Sequence, residues 1–269
     1  MVVLAGLLNA LRVVGKTKDS ATIALIGAGA ANISVFRLLI AAGFPPQQLI
    51  MVDTRGILHL GREDLRTPDQ TVKWNICQSS NGERRTGSIL EALKGIDACI
   101  ALSRSGPGVI KPEWIATMAK DAIVFACANP VPEVWPWEAK DAGAKIVATG
   151  RSDFPNQVNN ALCFPGIFRG VLDVGARTIT DEMCLTAAEE LAQCAAEKGV
   201  REDYILPRMD EWDVAPREAA AVGMKAIEQG IARQQMTRSE LFTRAAETIR
   251  RAQEETRVLM TSGVIRPTT

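Results

Sequence analysis

The segment from 26 to 32, IGAGAAN, places glycines at 27 and 29 between a β-rich run and a helical pattern with apolar Ile33, Phe36, Leu39 and Ile40. That arrangement suits the diphosphate of a dinucleotide. Gly27 permits a tight turn and Gly29 lets the backbone approach an anion, while a helix starting at Ala30 and Ala31 offers N–H groups to it. The third position of such a fingerprint, usually Gly or Ala, is Asn32, which can widen the packing or cap the helix. An ordinary βα turn without a ligand is the plain alternative. Asp53 ends the next apolar run, where an acid accepts hydrogen bonds from an adenosine ribose; this favours NAD, with NADP admitted if Arg55 offsets the charge. Asp53 capping its own TRG turn is the alternative reading.

Farther along, ANPVPE at 128 to 133 puts Asn129 after another apolar run, where its amide can both donate and accept. The stretch from 148 to 170, ATGRSDFPNQVNNALCFPGIFRG, is rich in amides and glycines and reads as a binding loop entering a helix. Asn159 and Asn160 are its substrate-facing candidates, and Ser152 and Asp153 look like turn formers. The single histidine, His59, follows the adenosine-side strand and reads as structural or surface. No HExxH, GxSxG or Walker A pattern is present, and the six cysteines include no CxxC pair. No catalytic residue and no metal ligand is assigned from these spacings.

These residues need a scaffold that brings strand ends together. Apolar runs at 22–27, 49–53, 98–103, 122–127 and 145–149 alternate with helical patterns, as a sheet covered on both faces requires. The fold class is therefore α/β: a doubly wound parallel sheet of Rossmann type with helical appendages at both ends. The spacing of Leu4, Leu7, Leu8 and Leu11 predicts a helix over 2–14 that ends near Gly15. Helices are also expected over 181–199, from about 216, and over 239–260, the last with a charged outer face suited to a surface or a second subunit. The domain organisation read this way is a linker helix at 1–20, a dinucleotide-binding domain at 21–235 and a helical extension at 236–269.

The chain has 269 residues with 31 basic and 31 acidic side chains, so no net field gathers nucleic acid or anionic lipid. The most apolar stretch is broken by polar residues and glycines, which argues against a membrane span. The N-terminus lacks a basic n-region and a small-residue cleavage site, so a cytoplasmic protein with reduced thiols is expected.

Five segments together resemble the dinucleotide-binding half of the malic enzymes: VVLAGLLNAL at 2–11, GAGAAN at 27–32, VDTRGILHLGREDL at 52–65, IVFACANPVPE at 123–133 and ATGRSDFPNQVNNALCFPGIFRGVLD at 148–173. The resemblance implies NAD(P)-dependent oxidative decarboxylation of malate to pyruvate. It implies cofactor contacts at Gly27, Gly29 and Asp53, and at Ser103, which opens the SRSGPG loop where Arg104 replaces a smaller residue. It places Asn129 and Asn160 against malate and nicotinamide, with Asn159 adjoining. In that family the tyrosine acid, lysine base and carboxylate ligands of Mg or Mn lie in a domain preceding this region. The expectation is thus a chain that lacks its catalytic half, is inactive alone, associates with that half and forms homo-oligomers through an apolar face left on the 2–14 helix. Two rival readings stay open: a stand-alone dinucleotide-binding or regulatory module, and a self-sufficient dehydrogenase using Lys111 or His59 as base.

Overall fold

A computed structural model describes residues 1–266. Each apolar run becomes a strand: β1 (Ile23–Ile26), β2 (Leu49–Asp53), β4 (Ala98–Ala101), β5 (Ile123–Ala126) and β6 (Ile146–Thr149), with a short β3 (Gly56–Ile57) folding back beside β2. The sheet order is β3-β2-β1-β4-β5-β6, parallel except for the β2–β3 pair. β1 pairs with β2 on one side and β4 on the other, Ile23 lying opposite both Leu49 and Ala98. This divergence makes a crevice at the carboxyl end of the strands, where open α/β sheets bind ligands. The sheet is of Rossmann type, as the alternation predicts.

The helices are α1 (Val2–Val14), α2 (Ala30–Ala41), α3 (Thr71–Ser79), α4 (Ile89–Leu93), α5 (Pro112–Ile115), α6 (Pro136–Asp141), α7 (Phe164–Asp173), α8 (Asp181–Glu197), α9 (Val214–Glu228) and α10 (Arg238–Thr261). None is long and apolar enough to cross a membrane. The chain forms two compact units, one made of residues 1–160 and 191–208 and the other of 161–190 and 209–269.

The first unit holds the whole sheet. Its core contains Ile26, Val52, Ala101, Val124 and Ala126 from the strands with Leu93, Ile96, Ile115 and Val134 from the covering segments, all buried. α1 ends where expected, at Gly15 in the left-handed region (φ 68°). The expected exposed face on this helix is absent. Val2, Leu4, Leu7 and Leu11 are buried, and Asn9 donates from Nδ2 to the carbonyls of Ala192 and Ile205 at 2.9 Å each. The segment 191–208 covers what the sequence left open, a non-local pairing that periodicity does not reveal.

In the second unit α7 packs on α9, and α10 packs on α9 as well. Gly170 brings the α7 backbone against the Ala219 carbonyl, an approach that any Cβ would block. Buried Asp173 accepts from Arg169 at 2.6 Å and pairs with Arg244 of α10 at 3.0 Å. None of the six cysteines is in a disulfide, and five of them are buried.

Candidate functional site

The crevice between β1, β2 and β4 opens into a cleft of about 1120 Å³. Its lining includes Gly27, Gly29, Asp53 and Ser103, four of the expected cofactor contacts, together with Arg55, His59 and Lys73. Gly27 adopts φ +101°, and a Cβ there would come within 2.7 Å of the Leu102 carbonyl oxygen, so only glycine fits. Gly29 is the N-cap of α2, with no side-chain cap, no acidic residue in the first turn and nothing within 4 Å of a built Cβ. The first turn at Ala30 and Ala31 therefore presents backbone N–H groups and the positive end of the helix to an anion. These features fit a dinucleotide diphosphate.

Asn32 resolves as a brace. It is fully buried, and Nδ2 donates to the carbonyl oxygens of Ile26 and Gly27, both at 2.9 Å, tying the helix to the strand end and the turn. The departure from Gly or Ala thus adds a fastening beneath the turn without entering the cleft.

Asp53 caps its own turn, as the alternative reading has it, and is also gripped by an arginine. Both carboxylate oxygens accept from the Arg62 guanidinium at 3.0 Å in a bidentate pair, and Oδ1 also accepts from the Arg55 backbone at 2.9 Å. Lys73 Nζ lies 3.9 Å from Oδ2. Burial pushes the Asp53 carboxyl up, but the Arg62 bonds, the Arg55 N–H and the charges of Arg62 and Lys73 outweigh it and hold the pKa below its ordinary value. Asp64 is lowered to about 2, chiefly by its bond to the same guanidinium. The acid at the end of β2 is therefore ionised and neutralised, with a lysine on the cleft side. Arg55, singled out from sequence as the offsetting charge, instead pairs with Asp64 at 3.0 Å. His59, read from sequence as structural or surface, lies at the lining of the cleft, where its Nδ1 accepts from the Gly61 N–H at 3.1 Å. Lys111 is exposed, lies over the Trp114 ring and is not among the cleft-lining residues.

Asn129, Asn159 and Asn160 do not line this cleft. Asn129 and Asn159 meet at Gly150: the Asn129 amide sits beside its Cα, and Asn159 Nδ2 donates to its carbonyl at 3.0 Å. Asn129 and Asn160 are exposed. Arg151 joins the two loops, donating to the Pro130 carbonyl at 3.0 Å while held by Asp153 at 2.6 Å. Buried Asn156 pins the second loop, donating to the carbonyls of Val147 at 3.0 Å and Glu202 at 2.7 Å and accepting from Ile205 N at 3.0 Å.

Glu133 couples the asparagine loop to the cleft. It is fully buried, and its carboxylate accepts from Ser103 N at 2.9 Å, Ser103 Oγ at 3.0 Å and Ala128 N at 3.0 Å. One side chain thus fixes the start of the cleft-lining loop and the residue before Asn129. Sequence reasoning missed Glu133, Arg62, Lys73 and Asn156; the available signals were an acid closing the ANPVPE motif and an Asn within the amide-rich loop. Among the described residues, no group of three or more His, Cys, Asp or Glu side chains is arranged to hold a metal ion.

Comparison with known proteins adds to this geometry. The family described as "Malic enzyme, NAD binding domain" matches residues 1–227. The bifunctional malic/malolactic enzyme of Bacillus subtilis is 42% identical over 233 residues, 87% of this chain and 55% of that protein. The NADP-dependent malic enzyme of Halomonas elongata is 40% identical over 248 residues, covering 87% and 56%. The crystal structure of Entamoeba histolytica malic enzyme superposes with a TM-score of 0.96 at 47% identity, over 100% of this chain and 55% of that one. The chain spans about half the length of the relatives it matches.

Proposed function

Because the chain belongs to the malic enzyme family through its NAD-binding domain, we propose that it supplies the dinucleotide site for the oxidative decarboxylation of malate to pyruvate. The observation that carries this reading is the uncapped N-terminus of α2 behind Gly27 and Gly29, in the crevice that ends at Asp53 and Ser103. When bound, NAD(P) takes the hydride released from C2 of the substrate. Asn129, Asn159 and Asn160 hold substrate and nicotinamide ribose by amide hydrogen bonds, with their loops fastened by Arg151, Asn156 and Glu133.

Two refinements belong to this reading. Arg62 cancels the Asp53 charge, so the carboxylate does not bar a ribose 2′-phosphate, and Lys73 stands ready to meet one; NADP is accepted beside NAD. The base, the acid and the carboxylates for Mg or Mn come from the portion that malic enzymes carry outside the matched region, so the isolated chain binds cofactor without turnover.

The test is a titration with NADH and NADPH by reduced-nicotinamide fluorescence, followed by an assay with malate, Mn and NAD. Saturable binding and no turnover by the chain alone, with turnover once the remaining portion of a malic enzyme is added, is the expected result. Turnover by the chain alone would contradict the division of labour. Binding without any reconstituted turnover would favour a stand-alone binding module.

A further inference from the structure

In the second unit α10 runs on beyond its own cover. Leu241 and Ala245 are its only buried residues, and every residue from 250 to 259 is exposed. A helix draws most of its stability from packing one face, so one that leaves its body this far calls for a partner. Along it Phe242, Ala246, Ile249, Gln253, Thr256 and Met260 recur at alternating steps of four and three, the heptad spacing of a two-helix seam. The first four line a groove of about 510 Å³ together with Pro216 and Trp212, the latter 67% exposed. Down one flank of the seam run Glu247, Arg250, Glu254 and Arg257, alternating in sign. Arg257 holds Glu254 of its own helix at 2.7 Å, whereas Glu247 and Arg250 make no ion pair among the described residues.

We propose that the α10 helices of two copies of this chain pair antiparallel along this seam. The order of the charges selects both the occupant and the direction. Read from the other end, the flank runs Arg257, Glu254, Arg250, Glu247, so a second copy laid antiparallel brings Arg257 to Glu247 and Arg250 to Glu254 in a single register. Two-fold symmetry then repeats each pair on the other copy. A parallel copy would set each of these side chains against its own kind, which is repulsive. The antiparallel register also carries Met260 of one copy toward Phe242 and the groove of the other, so the apolar ends of the seam are covered together. All these residues belong to the second unit, and α10 follows residue 227, where the match to the family ends, so the shared domain does not prescribe its partner.

The test is sedimentation equilibrium of the full chain at micromolar concentrations, on the wild type and on two charge-reversed variants. One carries Glu247→Arg with Glu254→Arg and has a wholly basic flank; the other carries Arg250→Glu with Arg257→Glu and has a wholly acidic one. All four positions are exposed, so the substitutions leave the packed part of the fold untouched. The wild type is expected to dimerise, each variant alone to self-associate at least 100-fold more weakly, and an equal mixture of the two variants to regain the dimer. Recovery in the mixture excludes misfolding as the cause of the loss. A monomeric wild type overturns the proposal, as does a mixture that stays apart. Variants that dimerise as tightly as the wild type overturn it too, since a parallel pair, with like charges facing in every case, or a contact elsewhere on the chain would be indifferent to these changes.

Discussion

Replacing Glu133 by glutamine keeps the shape of the side chain and removes its charge, which isolates what the carboxylate does. Its two oxygens accept three hydrogen bonds, two from Ser103 and one from Ala128 N, in a fully buried position. Glutamine has one acceptor oxygen, so the amide NH2 must face either Ser103 N or Ala128 N, donor against donor. An orphaned buried N–H costs about 1–3 kcal/mol, and the remaining bonds lose their charge assistance, worth about 1 kcal/mol more. The expected destabilisation is about 2–4 kcal/mol, read by urea unfolding followed by circular dichroism. Since the same bonds hold the Ser103 loop against the Asn129 loop, NADH affinity is expected to fall at least tenfold under conditions where the variant remains folded. Val124→Ala, a core truncation on β5 with a cost of about 1–3 kcal/mol, serves as the control and leaves affinity within about twofold. Wild-type NADH affinity in Glu133→Gln, or a loss of affinity equal to that of Val124→Ala, would refute the coupling argument.

Three further outcomes follow from the same geometry. Lys73→Gln is expected to weaken NADPH at least tenfold and NADH less than threefold in fluorescence titrations, because Lys73 faces the ribose end of the cleft beside a neutralised Asp53; equal losses would remove its role in selection. Asn32→Ala gives up two buried hydrogen bonds beneath the turn, so the midpoint of thermal unfolding is expected to drop by an amount equivalent to about 1–2 kcal/mol, and a variant as stable as wild type would show that the brace contributes nothing. Burial pushes Glu218 up to about 8, despite its contact with the Cys163 thiol. A carboxyl raised in the folded state binds its proton more tightly there than in the unfolded chain, so its stabilisation is complete below the unfolded value near 4.5 and is lost as pH rises through about 8. Stability measured by urea unfolding is expected to decline across that window and to flatten in Glu218→Gln; an unchanged slope would contradict the assignment.

The sheet and most helices were legible because near-continuous apolar strands and helical repeats are local signals. The cofactor turn was legible for the same reason: Gly27 and Gly29 sit between a strand and a helix in sequence as in space. What escaped was non-local. The arginine that grips Asp53 is Arg62, brought back by the bend after β3, a two-residue strand too short to show a period. Glu133 looks like a loop acid in sequence and becomes a buried acceptor only when two strand ends lie side by side. The exposed face expected on α1 is covered by residues nearly two hundred positions away, as the Asn9 bonds to Ala192 and Ile205 show. Exposed apolar side chains instead lie on α7, within a segment that reads as a binding loop leading into a helix; the close approach of Gly166 and Gly170 to α9 there is a tertiary contact that this reading did not contain.

The central claim is that the open N-terminus of α2 binds a dinucleotide diphosphate, and Gly29→Asp tests it most directly. Aspartate is a favourable N-cap, the backbone there is ordinary (φ −87°), and a Cβ meets nothing within 4 Å, so the fold is expected to keep or gain stability. The same carboxylate stands where the diphosphate charge must sit, a repulsion of about 4 kcal/mol per charge pair at ~4 Å and an effective dielectric of ~20. Titration with NADH is expected to show saturable binding by the wild type and at least a 100-fold loss in Gly29→Asp, with the thermal midpoint unchanged or raised. Equal NADH binding by both proteins, or none by the wild type, would contradict the account.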